Sequence, residues 1–194
     1  TGYTSNDSAT EFTLTLRKGV TFQDGTPFDA EAVKANLDRL ADQKKGLKRN
    51  SLYKMIDKVT VLAPDQVKIS LNQSFGAFIN TLAHPSAVMW SPSVLKQYPD
   101  EAQLRLHPVG TGPFKFVNWT PGKAVTLAKY DGYWRQGWPK VDQVIFSPSP
   151  EDATRVAALK SGQVDAIWPL PSDLIAAVKQ DSNLAIQRDP SIYL

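Results

Sequence analysis

The stretch from Phe12 to Leu40 constrains the fold more than any other part of the chain. It opens with alternating apolar and polar residues, and Phe12, Leu14 and Leu16 share one side. This period of two predicts a half-buried strand. The Asp-Gly-Thr-Pro run at 24–27 then interrupts the strand, because Gly permits positive φ and Pro fixes its own φ. The sequence therefore predicts a strand that ends in a tight loop.

An amphipathic helix is predicted after this loop. Asp29 is the expected N-cap, and Glu31 places a carboxylate in the first turn, where the helix dipole favours negative charge. The apolar stripe consists of Val33, Leu37, Leu40 and Ala41, and the residues expected to lie off it are Lys34, Asn36, Asp38 and Arg39. A strand, a loop and a helix in this order specify no function.

The middle of the chain predicts a series of short elements. They are a hairpin of strands at 59–62 and 67–71, helices at 75–83 and 92–98, and strands at 114–119 and 124–130. Ser91 before Pro92 is typical of a helix start. Large aromatic side chains favour burial, so core or seam packing is expected for Trp90, Trp119, Trp134 and Trp138.

Beyond Pro139 the pattern changes to strands alternating with helices. Strands are predicted at 141–147, 164–168 and 184–187, and helices at 151–160 and 172–179. Such alternation is typical of βαβ units around a mainly parallel sheet. We therefore expect an α+β subdomain over residues 1–140 and the beginning of an α/β ligand-cleft lobe over residues 141–194.

Composition excludes several classes of function. The net charge of the 194-residue chain is only +3, and its basic residues are scattered, so no nucleic-acid partner is expected. No apolar run approaches the ~20 residues that a membrane-spanning helix needs. Cysteine is absent, which excludes disulfides and thiolate metal sites.

Catalytic and metal sites find little support in the residues. The two histidines, His84 and His107, are each followed by proline, and no serine lies in a Gly-x-Ser-x-Gly elbow. Two isolated histidines without nearby acidic spacing are a poor set of nickel or zinc ligands. We therefore predict no catalytic residues, no cofactor and no metal, and a hydrolytic enzyme is kept only as an alternative.

The Gly110-Thr111-Gly112 run invites comparison with a phosphate-binding loop. It lacks the third glycine of a dinucleotide fingerprint, the Lys-Ser/Thr of a P-loop and a helix directly after it. Pro113 instead leads into a predicted strand. The sequence therefore predicts a structural backbone turn that needs small residues.

Several stretches, in order, resemble the bacterial extracellular solute-binding proteins that bind peptides, nickel or glutathione for ABC importers. The similar stretches are Leu16–Leu40, Leu47–Lys54, Leu82–Pro85, Pro108–Phe114, Tyr130–Trp134 and Thr154–Ala166. Leu47–Lys54 and Leu82–Pro85 are most similar to the glutathione-binding members. The resemblance covers nearly the whole chain and is more specific for the family than for the ligand.

The resemblance implies a periplasmic-binding-protein-like fold, in which this chain is part of an N-terminal lobe and the second lobe is absent. It implies capture of glutathione, a dipeptide or an oligopeptide between two lobes, and delivery to the transmembrane subunits of an ABC permease. Nickel or another small solute is the alternative ligand. The implied location is the periplasm, or the cell surface as a lipoprotein in a single-membrane bacterium, after export with a signal peptide.

The resemblance also implies a ligand-binding wall. Arg49, Asn50 and Tyr53 would reach the cleft between the lobes, where a guanidinium suits a ligand carboxylate. A solvated surface charge is the alternative interpretation of Arg49. His84 and Ser86 would lie on the same wall, and loop packing is the alternative for them.

Two further residues follow the last predicted strands. Ligands of α/β lobes lie beyond the carboxyl ends of strands, which makes Trp168 and Tyr193 candidate cleft neighbours. The expected ligand-binding residues are therefore Arg49, Asn50, Tyr53, His84, Ser86, Trp168 and Tyr193.

Overall fold

The computed structural model describes residues 2–187, and its first half is built on a four-stranded antiparallel sheet. The strands are β1 (Gly2–Ser5), β2 (Glu11–Thr15), β3 (Ile56–Ala63) and β4 (Gln66–Leu71), in the order β1-β2-β4-β3. Phe12 pairs with Ile69 and Leu14 with Val67, so alternate side chains of β2 and β4 share a face. The strand from Phe12 and the hairpin that the sequence predicts are confirmed.

Helix α1 (Ala30–Ala41) covers this sheet and packs against β3 and β4. Asp29 is its N-cap, as predicted, since Oδ1 accepts a hydrogen bond of 2.9 Å from the N–H of Ala32. The apolar stripe of α1 is buried with the inward residues of the sheet. The core includes Phe12, Val33, Leu37, Tyr53, Val59, Val67, Ile69 and Phe78.

Asn36 corrects the predicted helix pattern, because its side chain is buried rather than facing away from the stripe. Its Nδ2 donates to the carbonyls of Ala32 at 2.9 Å and Trp90 at 2.8 Å. Its Oδ1 accepts from the N–H of Trp90 at 2.8 Å. Burial is tolerated because every strong donor and acceptor involved finds a partner. One amide therefore fixes the backbone of Trp90 against α1.

Short helices connect the sheet to the rest of the first half. They are α2 (Phe78–Leu82), α3 (Pro92–Gln97) and α4 (Glu101–Leu104). Helix α3 begins as predicted, with Ser91 Oγ accepting from the N–H of Ser93 at 3.2 Å. Helix α2 is shorter than the predicted 75–83, mainly because a turn at residues 76–77 precedes it and delays its start to Phe78.

The carboxylate of Asp24 ties the loop after the first predicted strand to the start of α3. Oδ2 accepts from the hydroxyls of Ser91 at 2.5 Å and Ser93 at 2.6 Å. Oδ1 accepts from the N–H of Thr26 at 3.0 Å and from its hydroxyl at 2.6 Å. Burial raises the pKa of Asp24, but these hydrogen bonds outweigh it and lower the pKa to about 2.

The Gly110–Gly112 turn is held by Gln23, and its glycines are not needed for steric reasons. The Nε2 of Gln23 donates to the carbonyls of Gly112 at 3.1 Å and Phe114 at 2.8 Å. A Cβ at Gly112 would meet nothing within 4 Å. The expectation that this turn needs small residues is therefore wrong, and its carbonyl groups make the contacts instead.

A second sheet contains β5 (Phe114–Thr120), β6 (Ala124–Lys129) and β7 (Gln143–Phe146), in that order. β6 and β7 are antiparallel, with Val125 opposite Phe146. The prediction of core packing is wrong for Trp119, Trp134 and Trp138, because their side chains are exposed. Two of these rings make cation–π contacts. The guanidinium carbon of Arg17 lies 4.2 Å from the ring centroid of Trp134, and the guanidinium carbon of Arg135 lies 4.6 Å from the ring centroid of Trp138.

The last part of the described chain contains helices α5 (Asp152–Lys160) and α6 (Ile175–Lys179). Both lie in predicted helical segments. The predicted strands at 164–168 and 184–187 are wrong, since neither segment forms a strand. An isolated strand leaves its backbone groups unpaired, and residues 2–187 offer these segments no neighbouring strand. The α+β class is confirmed, whereas the parallel sheet is not found among the described residues.

The chain divides into two compact units. The first comprises the chain up to Pro121 together with Val125–Phe146, and the second comprises Gly122–Ala124 and the chain from Ser147. The limits expected from sequence, 1–140 and 141–194, remain a prediction about the complete lobe. Within residues 2–187, no helix combines the length and the apolar character needed to cross a bilayer.

We predict that Asn36→Ala lowers the free energy of unfolding by about 2–3 kcal/mol, because the part-buried N–H and carbonyl of Trp90 lose their partner. Urea denaturation of the full-length protein measures this loss. Asp38→Ala, on the exposed side of the same helix, is the matched control and should cost under about 0.5 kcal/mol. Equal losses in the two variants would contradict the anchoring role of Asn36.

We also predict a pH-dependent contribution from Asp24. Its pKa is lower in the folded state, so the stabilisation is fully present above the unfolded pKa of about 3.9 and is lost as pH falls through the folded value of about 2. Asp24→Asn should lower the free energy of unfolding at pH 7 by about 1 kcal/mol, because the carboxylate is exposed to solvent. Urea denaturation should show the difference shrinking below about pH 4. A difference that stays constant down to pH 2 would contradict the assignment.

Candidate ligand-binding site

Three of the expected ligand-binding residues form one hydrogen-bonded cluster. The hydroxyl of Tyr53 lies 2.7 Å from Ser86 Oγ, and that oxygen lies 2.8 Å from Nδ1 of His84. The N–H of Ser86 also donates to Nδ1 of His84 at 3.0 Å. Tyr53 and Ser86 are 33 residues apart in sequence, so the fold brings this cluster together.

The local sequence explains how His84 and Ser86 are placed. Proline at 85 disfavours helical geometry in the residue before it, and His84 is extended with φ −67° and ψ 141°. His84 is then the N-cap of the 3-10 turn Pro85–Ala87, with its ring nitrogen as the acceptor. Ala87 is buried in the core and anchors the turn.

Tyr53 reaches this turn from the core side. Its side chain is fully buried, and it follows the 3-10 turn Asn50–Leu52. A buried tyrosine hydroxyl needs a hydrogen-bond partner, and Ser86 supplies it. His84 and Ser86 are half-buried, so they form the accessible side of the cluster, whereas Tyr53 lies behind them.

Arg49 lies on the exposed surface with a left-handed backbone, φ 69° and ψ 9°. This conformation is uncommon for a residue with a Cβ and is enriched at functional sites. Asn50 follows it, and its Nδ2 is one of two buried side-chain nitrogens without a hydrogen-bond partner in the described part of the chain. Arg49 therefore offers an accessible cation, and Asn50 has an unpaired donor that is buried.

The second unit contains Trp168, whose side chain is 89% exposed. A large indole that is almost fully accessible is available for contact with a partner or ligand. Tyr193 lies outside the described residues.

Arg155 of α5 fixes the chain next to Trp168, a role that the sequence analysis did not predict. Its Nη1 donates to the carbonyls of Ser149 at 2.8 Å and Pro150 at 2.9 Å. Its Nη2 donates to the carbonyl of Pro169 at 3.4 Å. The family resemblance of Thr154–Ala166 includes this helix. It could not predict the contacts of Arg155, because backbone carbonyl partners across a loop leave no signal in the sequence.

Metal ligation finds no geometric support in residues 2–187. No group of three or more His, Cys, Asp or Glu side chains comes together there in a way that would hold a metal ion. The Nδ1 of His84 and the hydroxyl oxygens of Tyr53 and Ser86 instead belong to one hydrogen-bond network. The arrangement suits hydrogen bonding to a polar organic ligand.

Curated relatives include the glutathione-binding protein GsiB of Salmonella paratyphi A, which is 45% identical over 191 residues. GsiB of Escherichia coli O1:K1 is 43% identical over 190 residues. In each case the alignment covers 98% of this chain and 37% of the relative. The chain therefore spans little more than a third of the length of these relatives.

Solved structures give the same picture. AgaA of A. tumefaciens R10, in complex with agropinic acid, superimposes with a TM-score of 0.83 and 37% identity, covering 93% of this chain and 36% of AgaA. A nickel ABC transporter protein from Bacillus halodurans gives a TM-score of 0.79 and 31% identity, covering 93% and 35%. These relatives are named as binding and transport proteins rather than enzymes.

The sequence model of one family matches the chain along its whole length. The model describes the middle region of bacterial extracellular solute-binding proteins, family 5, and it matches residues 1–194. The fold, the order of the similar stretches and this match agree. The chain belongs to the family 5 bacterial extracellular solute-binding proteins.

Proposed function

We propose that this protein is the solute-binding component of an ABC importer that captures glutathione or a short peptide between two lobes. The observation that carries the proposal is the 45% identity with a glutathione-binding protein over 98% of the chain. The family is extracellular, and we place this member in the periplasm. The transmembrane subunits of a permease would receive the ligand after the lobes close.

The candidate wall has the chemistry that such a ligand needs. Glutathione and dipeptides carry carboxylates and amide carbonyls, which are hydrogen-bond acceptors. Arg49 offers an exposed guanidinium whose planar fork suits a carboxylate. Ser86 and His84 present polar atoms on a turn that the core holds in place.

A second candidate ligand is an organic acid such as agropinic acid. The specific observation in its favour is the 37% identity with AgaA, whose structure contains that compound. A carboxylate would suit Arg49 in this case also. Nickel has the weaker case, because no cluster of potential metal ligands forms within residues 2–187.

Isothermal titration calorimetry of the full-length protein tests the proposal. The ligands are glutathione, a panel of dipeptides, agropinic acid and Ni²⁺. We expect saturable binding of glutathione or a dipeptide with one site per protein. Binding of agropinic acid alone would support the second candidate, and binding of Ni²⁺ alone would overturn both.

Arg49 provides a sharper test, because replacing it with glycine should increase the stability of the protein but weaken its binding of ligand. Arg49→Gly should raise the free energy of unfolding by about 0.5–1 kcal/mol, since glycine relieves the left-handed strain. The same variant should weaken binding about tenfold, because the ligand carboxylate loses its guanidinium. Urea denaturation and calorimetry measure the two effects separately.

Two controls accompany this variant. Arg49→Ala removes the guanidinium and keeps the left-handed strain, so it should weaken binding without the gain in stability. Lys48→Ala removes a neighbouring exposed cation and should leave both quantities nearly unchanged. Equal losses of affinity in the Arg49 and Lys48 variants would show that only general positive charge matters, which would contradict a specific contact.

A further inference from the structure

The cluster of Tyr53, Ser86 and His84 fixes where the protons lie. The N–H of Ser86 donates to Nδ1 of His84 at 3.0 Å. A backbone N–H can only donate, so Nδ1 must be the acceptor and carries no proton. A neutral imidazole has one protonated nitrogen, and that proton therefore lies on Nε2.

The hydroxyl groups then have only one consistent arrangement. Ser86 Oγ lies 2.8 Å from the unprotonated Nδ1, so the hydroxyl of Ser86 must donate to it. That use consumes the single proton of Ser86. The contact of 2.7 Å between Tyr53 and Ser86 therefore requires Tyr53 to donate. The chain of hydrogen bonds runs from the buried phenol to the serine and then to the imidazole.

The far side of the ring is left available. No hydrogen bond of Nε2 is found among the described residues, whose bonds to the His84 side chain all involve Nδ1. Nε2 is also not one of the buried unpaired atoms of the described chain, and the His84 side chain is half-exposed. The Nε2–H group is thus an accessible donor at the surface of the cluster.

We propose that Tyr53 and Ser86 hold His84 in the Nε2–H form, so that His84 donates a hydrogen bond to a carboxylate or carbonyl oxygen of the ligand. This inference rests on the proposed function for its ligand. It makes His84 a specificity-determining residue and makes Tyr53 and Ser86 positioning residues. Recognition at this position selects for acceptor groups.

The same proton arrangement excludes a cationic partner at His84. A metal ion at Nε2 needs the lone pair of that nitrogen, so the ring proton would have to move to Nδ1. Nδ1 already accepts from the N–H of Ser86, and a proton there would face this group, which can only donate. An ammonium group at Nε2 would likewise place a donor against a donor.

Nuclear magnetic resonance of the full-length, ¹⁵N-labelled protein tests the proton positions. Long-range ¹H–¹⁵N correlation spectra distinguish Nε2–H, Nδ1–H and charged imidazole by their ¹⁵N shifts. The signals of His84 are assigned by their loss in His84→Asn. We expect the Nε2–H form without ligand, and a shift of Nε2 when glutathione or the binding dipeptide is added to saturation. A Nδ1–H or charged ring in the ligand-free protein would overturn the proposal.

His84→Asn is a matched variant, because the asparagine oxygen can replace Nδ1 as cap acceptor but nothing replaces the Nε2–H donor. It should bind about tenfold more weakly by calorimetry with little change in thermal stability. His107→Asn is the control, since His107 stacks on Tyr98 with ring centroids 4.0 Å apart, and it should bind normally. Normal binding by His84→Asn, or no Nε2 shift at saturation, would overturn this inference and leave the proposed function intact.

Tyr53→Phe tests the positioning role. Without the phenol donor, the Ser86 hydroxyl is free to rotate away from Nδ1, which then keeps only the N–H of Ser86 as a donor. The ¹⁵N shift of Nδ1 should therefore change while the proton stays on Nε2. An unchanged spectrum would overturn the role of Tyr53. If calorimetry detects no binding of any ligand in the panel, the proposed function fails and the ligand part of this inference fails with it.

Discussion

The hydrogen bond between the buried hydroxyl of Tyr53 and Ser86 joins the hydrophobic core to the candidate site. Tyr53 packs with the residues that α1 and the first sheet bury together. Its hydroxyl is the one polar atom of this side chain, and burial makes an unpaired hydroxyl costly. The turn that contains His84 therefore has its position set by the packing of the core.

Two further contacts hold the same segment, residues 84–93, at other points. Asn36 pairs with both backbone groups of Trp90, and Asp24 accepts from the hydroxyl of Ser91. These contacts come from α1 and from the loop before it, so the strand–loop–helix stretch supports the candidate wall. A wall fixed before binding loses little conformational freedom when a ligand arrives, which favours affinity and selectivity.

Local sequence patterns correctly predicted the strands and helix caps that depend only on neighbouring residues. The alternation at Phe12 and the cap at Asp29 required only neighbouring residues, and both are confirmed. The burial of Asn36 depends on Trp90, 54 residues away, and no periodicity reveals such a partner. Strand 164–168 failed because a strand also needs a neighbour. The site residues from Arg49 to Ser86 came from the family resemblance, and only the fold shows which of them share a hydrogen-bond network.

A crystal structure of the full-length protein with glutathione or the tightest-binding dipeptide tests the central claim most directly. The claim is that residues 84–93 form a ligand-binding wall that the core fixes in advance. The account predicts ligand oxygen atoms within hydrogen-bond distance of His84 or Ser86, and a segment 84–93 that keeps its contacts with Tyr53 and Asn36. A ligand bound away from this segment, or a segment that rearranges to reach it, would contradict the account.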